Sequence, residues 1–219
     1  MADHAQDGLL REIDEELRQE HYAKLWKRYG AYVIAAAAAL VIGVAGFQAW
    51  RSYDIKTRVA NSEAYTLAER LIRQGKPDEA AAAFAALAVD ARGGYALLSR
   101  FQEAAVRANQ DRAQEAATIY REIAADSGVP DAYRNGAAIL GAVQELDTAD
   151  PAALVGRVTP LMTADSPWRH HAREIIGLIA FRSGDRDKAR EAFRSLSQDA
   201  TAPAATRTRA GEMLAMLDN

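Results

Sequence analysis

The chain is 219 residues long, contains no cysteine and carries a formal net charge of −3, with 49% hydrophobic and 26% charged residues. Without thiols there are no disulfides, thiolate nucleophiles or cysteine-ligated zinc, and the compartment stays open, because such a chain survives in oxidising and reducing surroundings alike. A balanced, slightly acidic charge, with a pI of about 5.9, argues against a protein held to nucleic acid or anionic lipid by charge.

The first predicted element is an amphipathic helix over residues 8–30. Leu10, Ile13 and Leu17 fall at i, i+3 and i+7, with Glu12, Asp14, Glu15, Glu16, Arg18 and Glu20 forming a solvated acidic face. It reads as a tail, residues 1–28, leading into a very different segment. Residues 29–50 contain no charge, and Gln48 is their only strongly polar side chain. As a helix rising ~1.5 Å per residue the run is about 33 Å long, enough to cross a hydrocarbon core of ~30 Å.

A core helix of that length shows a polar face, which this run lacks. A cleavable signal peptide has a short basic leader and a small-residue cleavage site, and neither precedes Trp50. The sequence therefore predicts one transmembrane helix, with Trp26, Tyr29 and Tyr32 at one end and Phe47, Trp50 and Tyr53 at the other, where amphipathic rings favour the headgroup level. Lys24, Lys27 and Arg28 are matched by Arg51, Lys56 and Arg58, so the positive-inside rule does not orient it. Ala31, Ala35, Ala39 and Gly43 recur every four residues, a small-residue stripe against which another membrane helix could pack.

Residues 51–61 read as a linker or continued helix, and residues 62–219 as one helical domain. Breakers fall at residues 75–78 (GKPD), 109–112 (NQDR), 147–151 (DTADP) and 183–187 (SGDRD). The helices that follow carry Ala80, Ala116, Ala153 and Ala189, at intervals of 36, 37 and 36 residues. Twelve residues before each stands another small residue, Ala68, Ala104, Gly141 or Gly177, and four residues after three of them stands an aromatic, Phe84, Tyr120 or Phe193. Small residues let two helices of a pair approach, and the rings fill the space between pairs.

This pattern resembles the tetratricopeptide repeat (TPR) family, whose helix-turn-helix unit has small residues at these two positions and an aromatic four residues on. The repeats here are longer than the family's ~34 residues. Arg157 takes the aromatic column of the third repeat, Pro160 shortens its second helix, and Ala64, Arg100, Ala137 and Arg173 stand where the family's first helix has tryptophan. The expected fold is all-α: a single N-terminal transmembrane helix, then a TPR-like α-solenoid of four helix pairs at 62–91, 95–127, 131–164 and 168–199. A C-terminal capping helix over 202–217 begins near Pro203 and presents Met213, Leu214, Met216 and Leu217.

No catalytic signature is present: there is no G-x-S-x-G, glycine-rich phosphate loop or H-E-x-x-H. His170 and His171 precede Glu174 closely enough to offer two metal ligands, but no third follows, and no cofactor is implied. The sequence therefore reads as non-enzymatic. Binding is what stacked helix pairs favour, because their first helices line one face.

In TPR proteins the lining positions lie six and three residues before the small residue of helix one, and one and four after it. The resemblance thus implies a surface of Ser62, Tyr65, Glu69 and Ile72; Leu98, Phe101, Ala105 and Ala108; Asn135, Ala138, Ala142 and Glu145; and His171, Glu174, Leu178 and Phe181. Tyr65, Glu69, Phe101, Asn135, Glu145, His171, Glu174 and Phe181 are its candidate partner-binding residues. Apolar and aromatic with a few acids, it suits an extended peptide or partner helix with hydrophobic and basic side chains. Phe101 and Phe181 can equally be core. Replacing Tyr65 and Glu69 by alanine is expected to weaken partner capture with stability nearly intact.

In layout the chain resembles the YfgM family, an ancillary subunit of the bacterial SecYEG translocon: a short amphipathic tail, one early span with Trp and Tyr flanks, four TPR-like pairs and a short closing helix. The resemblance implies a single-pass inner-membrane protein with a cytoplasmic N-terminus and a periplasmic C-terminal domain. Its implied partners are SecYEG, the membrane-anchored periplasmic chaperone PpiD and unfolded secretory clients. A membrane-anchored TPR scaffold for cell-envelope assembly or division shares every one of these features and stays open.

Overall fold

A computed structural model describes the backbone of residues 3–218 and the side chains of residues 22–218. Among the described residues the regular structure is wholly helical. The helices are α1 (Asp3–Arg73), α2 (Pro77–Asp90), α3 (Gly94–Asn109), α4 (Ala113–Ala125), α5 (Asp131–Gln144), α6 (Pro151–Val158), α7 (Arg169–Arg182), α8 (Arg186–Gln198) and α9 (Ala204–Asp218), and a 3₁₀ turn, Thr159–Met162, prolongs α6. The chain divides into two units, Met1–Val59 and Ala60–Asn219.

The first unit is helical without a break through the apolar run, and residues 51–61 continue the helix. Alanine, which loses no side-chain entropy in a helix, dominates the run and explains its regularity. Val33, Leu40, Ile42, Val44, Phe47 and Trp50 are all more than half exposed, so the apolar surface is uncovered on every side. This is one helix long and apolar enough to cross a membrane. Trp26 lies over Gly30, its ring 3.1 Å from where a Cβ would stand, whereas Gly43 of the small-residue stripe has nothing within 4 Å. The side chains of Leu10, Ile13 and Leu17 lie outside the described residues.

In the second unit the end of α1 pairs with α2, α3 with α4, α5 with α6 and α7 with α8, and α9 packs on α8 and α7. Its core is a chain of four clusters, each centred on one pair and reaching into the next helix through Val106, Ala137, Ala172 or Ala210. Ala68, Ala80 and Phe84 of the first repeat, Ala104 and Ala116 of the second, and Ala189 and Phe193 of the fourth are fully buried, with Tyr120 4% exposed. A Cβ on Gly177 would come within 2.9 Å of the Phe193 ring, and one on Gly141 within 3.2 Å of Tyr120 Cβ. The two glycines therefore serve different contacts: Gly177 admits its own partner helix, and Gly141 admits the preceding repeat.

The third repeat departs from the expected register. Ala153 is exposed; Leu154 and Val158, four residues apart, occupy the buried positions, and Arg157 is exposed between them. The connector is the cause. Three-residue turns join the other pairs and each holds one residue at positive φ, Gly75 (72°), Asp111 (60°) and Gly184 (78°). Between α5 and α6 the link is residues 145–150, with Asp150 capping the Ala153 N–H at 2.9 Å and Pro151 opening the helix. From Gly141 to Leu154 is thirteen residues rather than twelve, and one extra residue turns α6 by about 100° to present its next side chain.

In the second and fourth repeats the column that lacks the family tryptophan is filled by charge. Arg100 reaches Asp126 at 2.9 Å and Arg173 reaches Asp199 at 3.3 Å, each carboxylate lying just past the C-terminus of the following helix. Both aspartates also accept from a backbone N–H two residues on, Gly128 and Thr201, so the guanidinium and the turn are tied together. In the third repeat this column holds Ala137, fully buried, and Trp168 braces the pair instead. Its ring covers Gly136, and its Nε1–H donates to the Ala132 carbonyl at 3.0 Å.

Candidate functional site

Apolar residues left unpaired by this packing gather on one face of α5, α7 and α9. Ile139, Leu140 and Val143 of α5, His171, Glu174, Ile175 and Leu178 of α7, and Arg209, Glu212, Met213 and Met216 of α9 enclose an open cavity of about 480 Å³. Leu140, Val143 and Met216 are 39%, 44% and 57% exposed, a concentration of uncovered hydrophobic surface that single scattered side chains do not make.

Charge is confined to the rim. Arg209 donates through Nε and Nη2 to the two Glu174 oxygens at 2.6 and 2.8 Å, the bidentate geometry that only a guanidinium offers. The Glu174 hydrogen bonds raise the Arg209 pKa further. His171 stands edge-on to Trp168, ring centres 5.7 Å apart, at the α5 side.

Of the residues expected to line a binding surface, His171, Glu174 and Leu178 are brought together here. Phe181 is 37% exposed further along α7. Leu98 of α3 and Ile72 of α1 are exposed, and Ser62, Glu69, Ala105, Ala108, Asn135 and Ala138 are half-buried.

Tyr65, Glu145 and Ala142 are placed otherwise than their spacing implied, and Phe101 takes the core position left open for it. Tyr65 packs edge-on against the buried Phe84 with ring centres 5.3 Å apart, and against Tyr95 at 5.9 Å, so replacing it removes core packing as well as any contact. Phe101 packs beside Tyr120 at 6.0 Å on the second cluster. Glu145 is 7% exposed, with its carboxylate held by Arg157 at 2.6 Å and Arg121 at 3.5 Å, and Ala142 is 1% exposed. Both lie inward because α5 turns Leu140 and Val143 outward instead.

Sequence reasoning missed Leu140, Val143, Arg209 and Glu212, and assigned Met213 and Met216 to capping alone. Arg209 and Glu174 are 35 residues apart, nearly one repeat, and that interval is the signal that could have paired them.

A second polar cluster lies where α7 meets the turn into α9. His170 is 4% exposed, with Nδ1 3.5 Å from Asp199 Oδ2 and Nε2 3.4 Å from Thr201 Oγ1. Burial pushes its pKa down, and the Arg169 charge adds to this against the pull of Asp199. Asp199 itself is lowered to about 2, chiefly by the Thr201 hydroxyl at 2.6 Å and then by the Thr201 N–H. The Thr201 hydroxyl proton is spent on Asp199, so the trio is a structural tie and not an activated nucleophile. Among the described residues no group of three or more His, Cys, Asp or Glu could hold a metal ion.

No curated protein and no solved structure matches the chain significantly. The tetratricopeptide repeat-like domain family matches residues 23–213. That match spans both the apolar run and the four helix pairs, and the chain belongs to the tetratricopeptide repeat-like domain family.

Proposed function

We propose that this protein is a membrane-anchored, non-enzymatic protein-interaction module of the YfgM kind, an ancillary subunit of the SecYEG translocon. In this reading the N-terminus is cytoplasmic, residues 29–50 cross the inner membrane, and the repeat unit works in the periplasm with PpiD on secreted proteins as they emerge. The observation that carries it is the open apolar groove in a protein of an interaction-repeat family. The uncovered apolar run supports the anchor, because soluble proteins rarely leave so much contiguous apolar surface in water. Ala35, Ala39 and Gly43 are exposed along the run and in this reading form the stripe against which a membrane partner packs.

Two experiments test the reading. A reporter active only outside the cytoplasm, fused after Asn219, should be active; silence would overturn the compartment. Photocrosslinkers at Leu98, Phe181 and Ala39 in native membranes should recover translocon subunits and the periplasmic chaperone. Recovery of cell-division or envelope-assembly proteins alone would favour the scaffold reading, which the same groove and anchor serve equally.

A further inference from the structure

Building on the docking reading, we propose that the groove walled by α5, α7 and α9 takes an apolar polypeptide segment flanked by lysine or arginine, its cation read by the Glu174–Arg209–Glu212 cluster. The apolar part follows from the lining: Leu140, Val143, Leu178 and Met216 present hydrocarbon and thioether to an open cavity of about 480 Å³, within the range of sites that hold ligands. Two of the lining residues, Met213 and Met216, are unbranched and polarisable, so the surface adapts to leucine, phenylalanine or valine without a fixed shape.

The basic flank follows from counting charges. Both oxygens of Glu174 are engaged by Arg209, and Glu212, one turn further along α9, is exposed, lies within Coulombic reach of the same guanidinium and has no ion pair among the described residues. Two carboxylates against one guanidinium leave a net negative rim, and no lysine lines the cavity. An acidic flank would meet Glu212, as would an anionic lipid headgroup, whereas a cation completes the cluster.

The test uses the full chain in phosphatidylcholine nanodiscs and fluorescence anisotropy of three labelled probes: a leucine-alanine peptide ended by lysines, the same peptide ended by glutamates, and a lysine-ended twin with serine for leucine. The lysine-ended leucine peptide should bind roughly tenfold tighter than its glutamate twin at low salt, with the preference collapsing at high salt. Glu212→Lys should invert that preference. Leu140→Asp with Met216→Asp should weaken binding of the lysine-ended leucine peptide by roughly tenfold, and because both side chains are exposed the fold survives, as an unchanged circular dichroism melt will verify.

Equal binding of the two leucine peptides, equal binding of the serine twin, equal signal from empty nanodiscs, or indifference to Leu140→Asp with Met216→Asp each overturns the proposal. So does a photocrosslinker at Met216 that captures only a second copy of the chain. Partner capture at Leu98 with no peptide binding in this groove would overturn this proposal and leave the docking reading standing; capture at neither place would overturn both.

Discussion

In the fourth repeat a phenyl ring seats directly against a glycine, Phe193 on Gly177; in the third, Leu154 and Val158 fill the same space and Arg157 ties down the buried Glu145. Both arrangements hold two helices together. The difference teaches that the helix pair requires filled volume and a counter-charge for what it buries, and that a signature residue is one way among several of meeting that requirement. It also shows what sets the register: the length of the turn, which decides which side chain of the second helix faces inward.

The comparison can be broken first at Leu154. Leu154→Ala should destabilise by about 2–5 kcal/mol, read as a lowered melting temperature of the detergent-solubilised protein, because a fully buried leucine leaves a cavity. A wild-type melt would restore Ala153 as the packed position. Gly177→Leu should cost about 1–3 kcal/mol through overpacking, since even one added carbon meets Phe193 at 2.9 Å. The matching change in the third repeat, Gly141→Ala, should cost less, because Tyr120 Cβ at 3.2 Å needs to give only slightly.

The polar tie of the fourth repeat makes a pH prediction that the third does not share. An unfolded histidine takes up its proton near pH ~6.5, whereas buried His170 does so only at lower pH, so between those values the unfolded chain binds more protons. Stability should therefore fall as the pH drops below ~6.5, and His170→Asn should flatten that limb. Asp199 acts lower down: its contribution is complete above an unfolded value of ~3.9 and is lost as the pH falls towards about 2, so the variant should keep that second loss. The smallest effect belongs to Ala153→Ser, within about 0.5 kcal/mol because the side chain faces solvent. A larger penalty would return the register to the simple spacing.

Three of the four pairs were legible because their turns are alike: a short connector with one residue at positive φ fixes the phase between two helices, so columns of alanine and aromatics line up by counting. The third was not, because counting assumes that constant turn and residues 145–150 break it. The arginine columns were visible only as missing tryptophans; nothing local to Arg100 or Arg173 points to an aspartate 26 residues away. The groove was legible on α7, where the family spacing held. On α5 it failed with the same repeat, and on α9 the two methionines already had an explanation as a cap.

The socket that holds Trp168 has a use of its own. Trp26 and Trp50 are 61% and 65% exposed, whereas Trp168 is half-buried between Gly136, the Ala132 carbonyl and His171. The chain thus contains three tryptophans in two kinds of surroundings. Brominated lipid should quench the emission of Trp26 and Trp50 if they sit at the membrane interface. Trp168, in ring contact with the groove-lining His171 one helical turn further along, would report occupancy of the groove with no label attached.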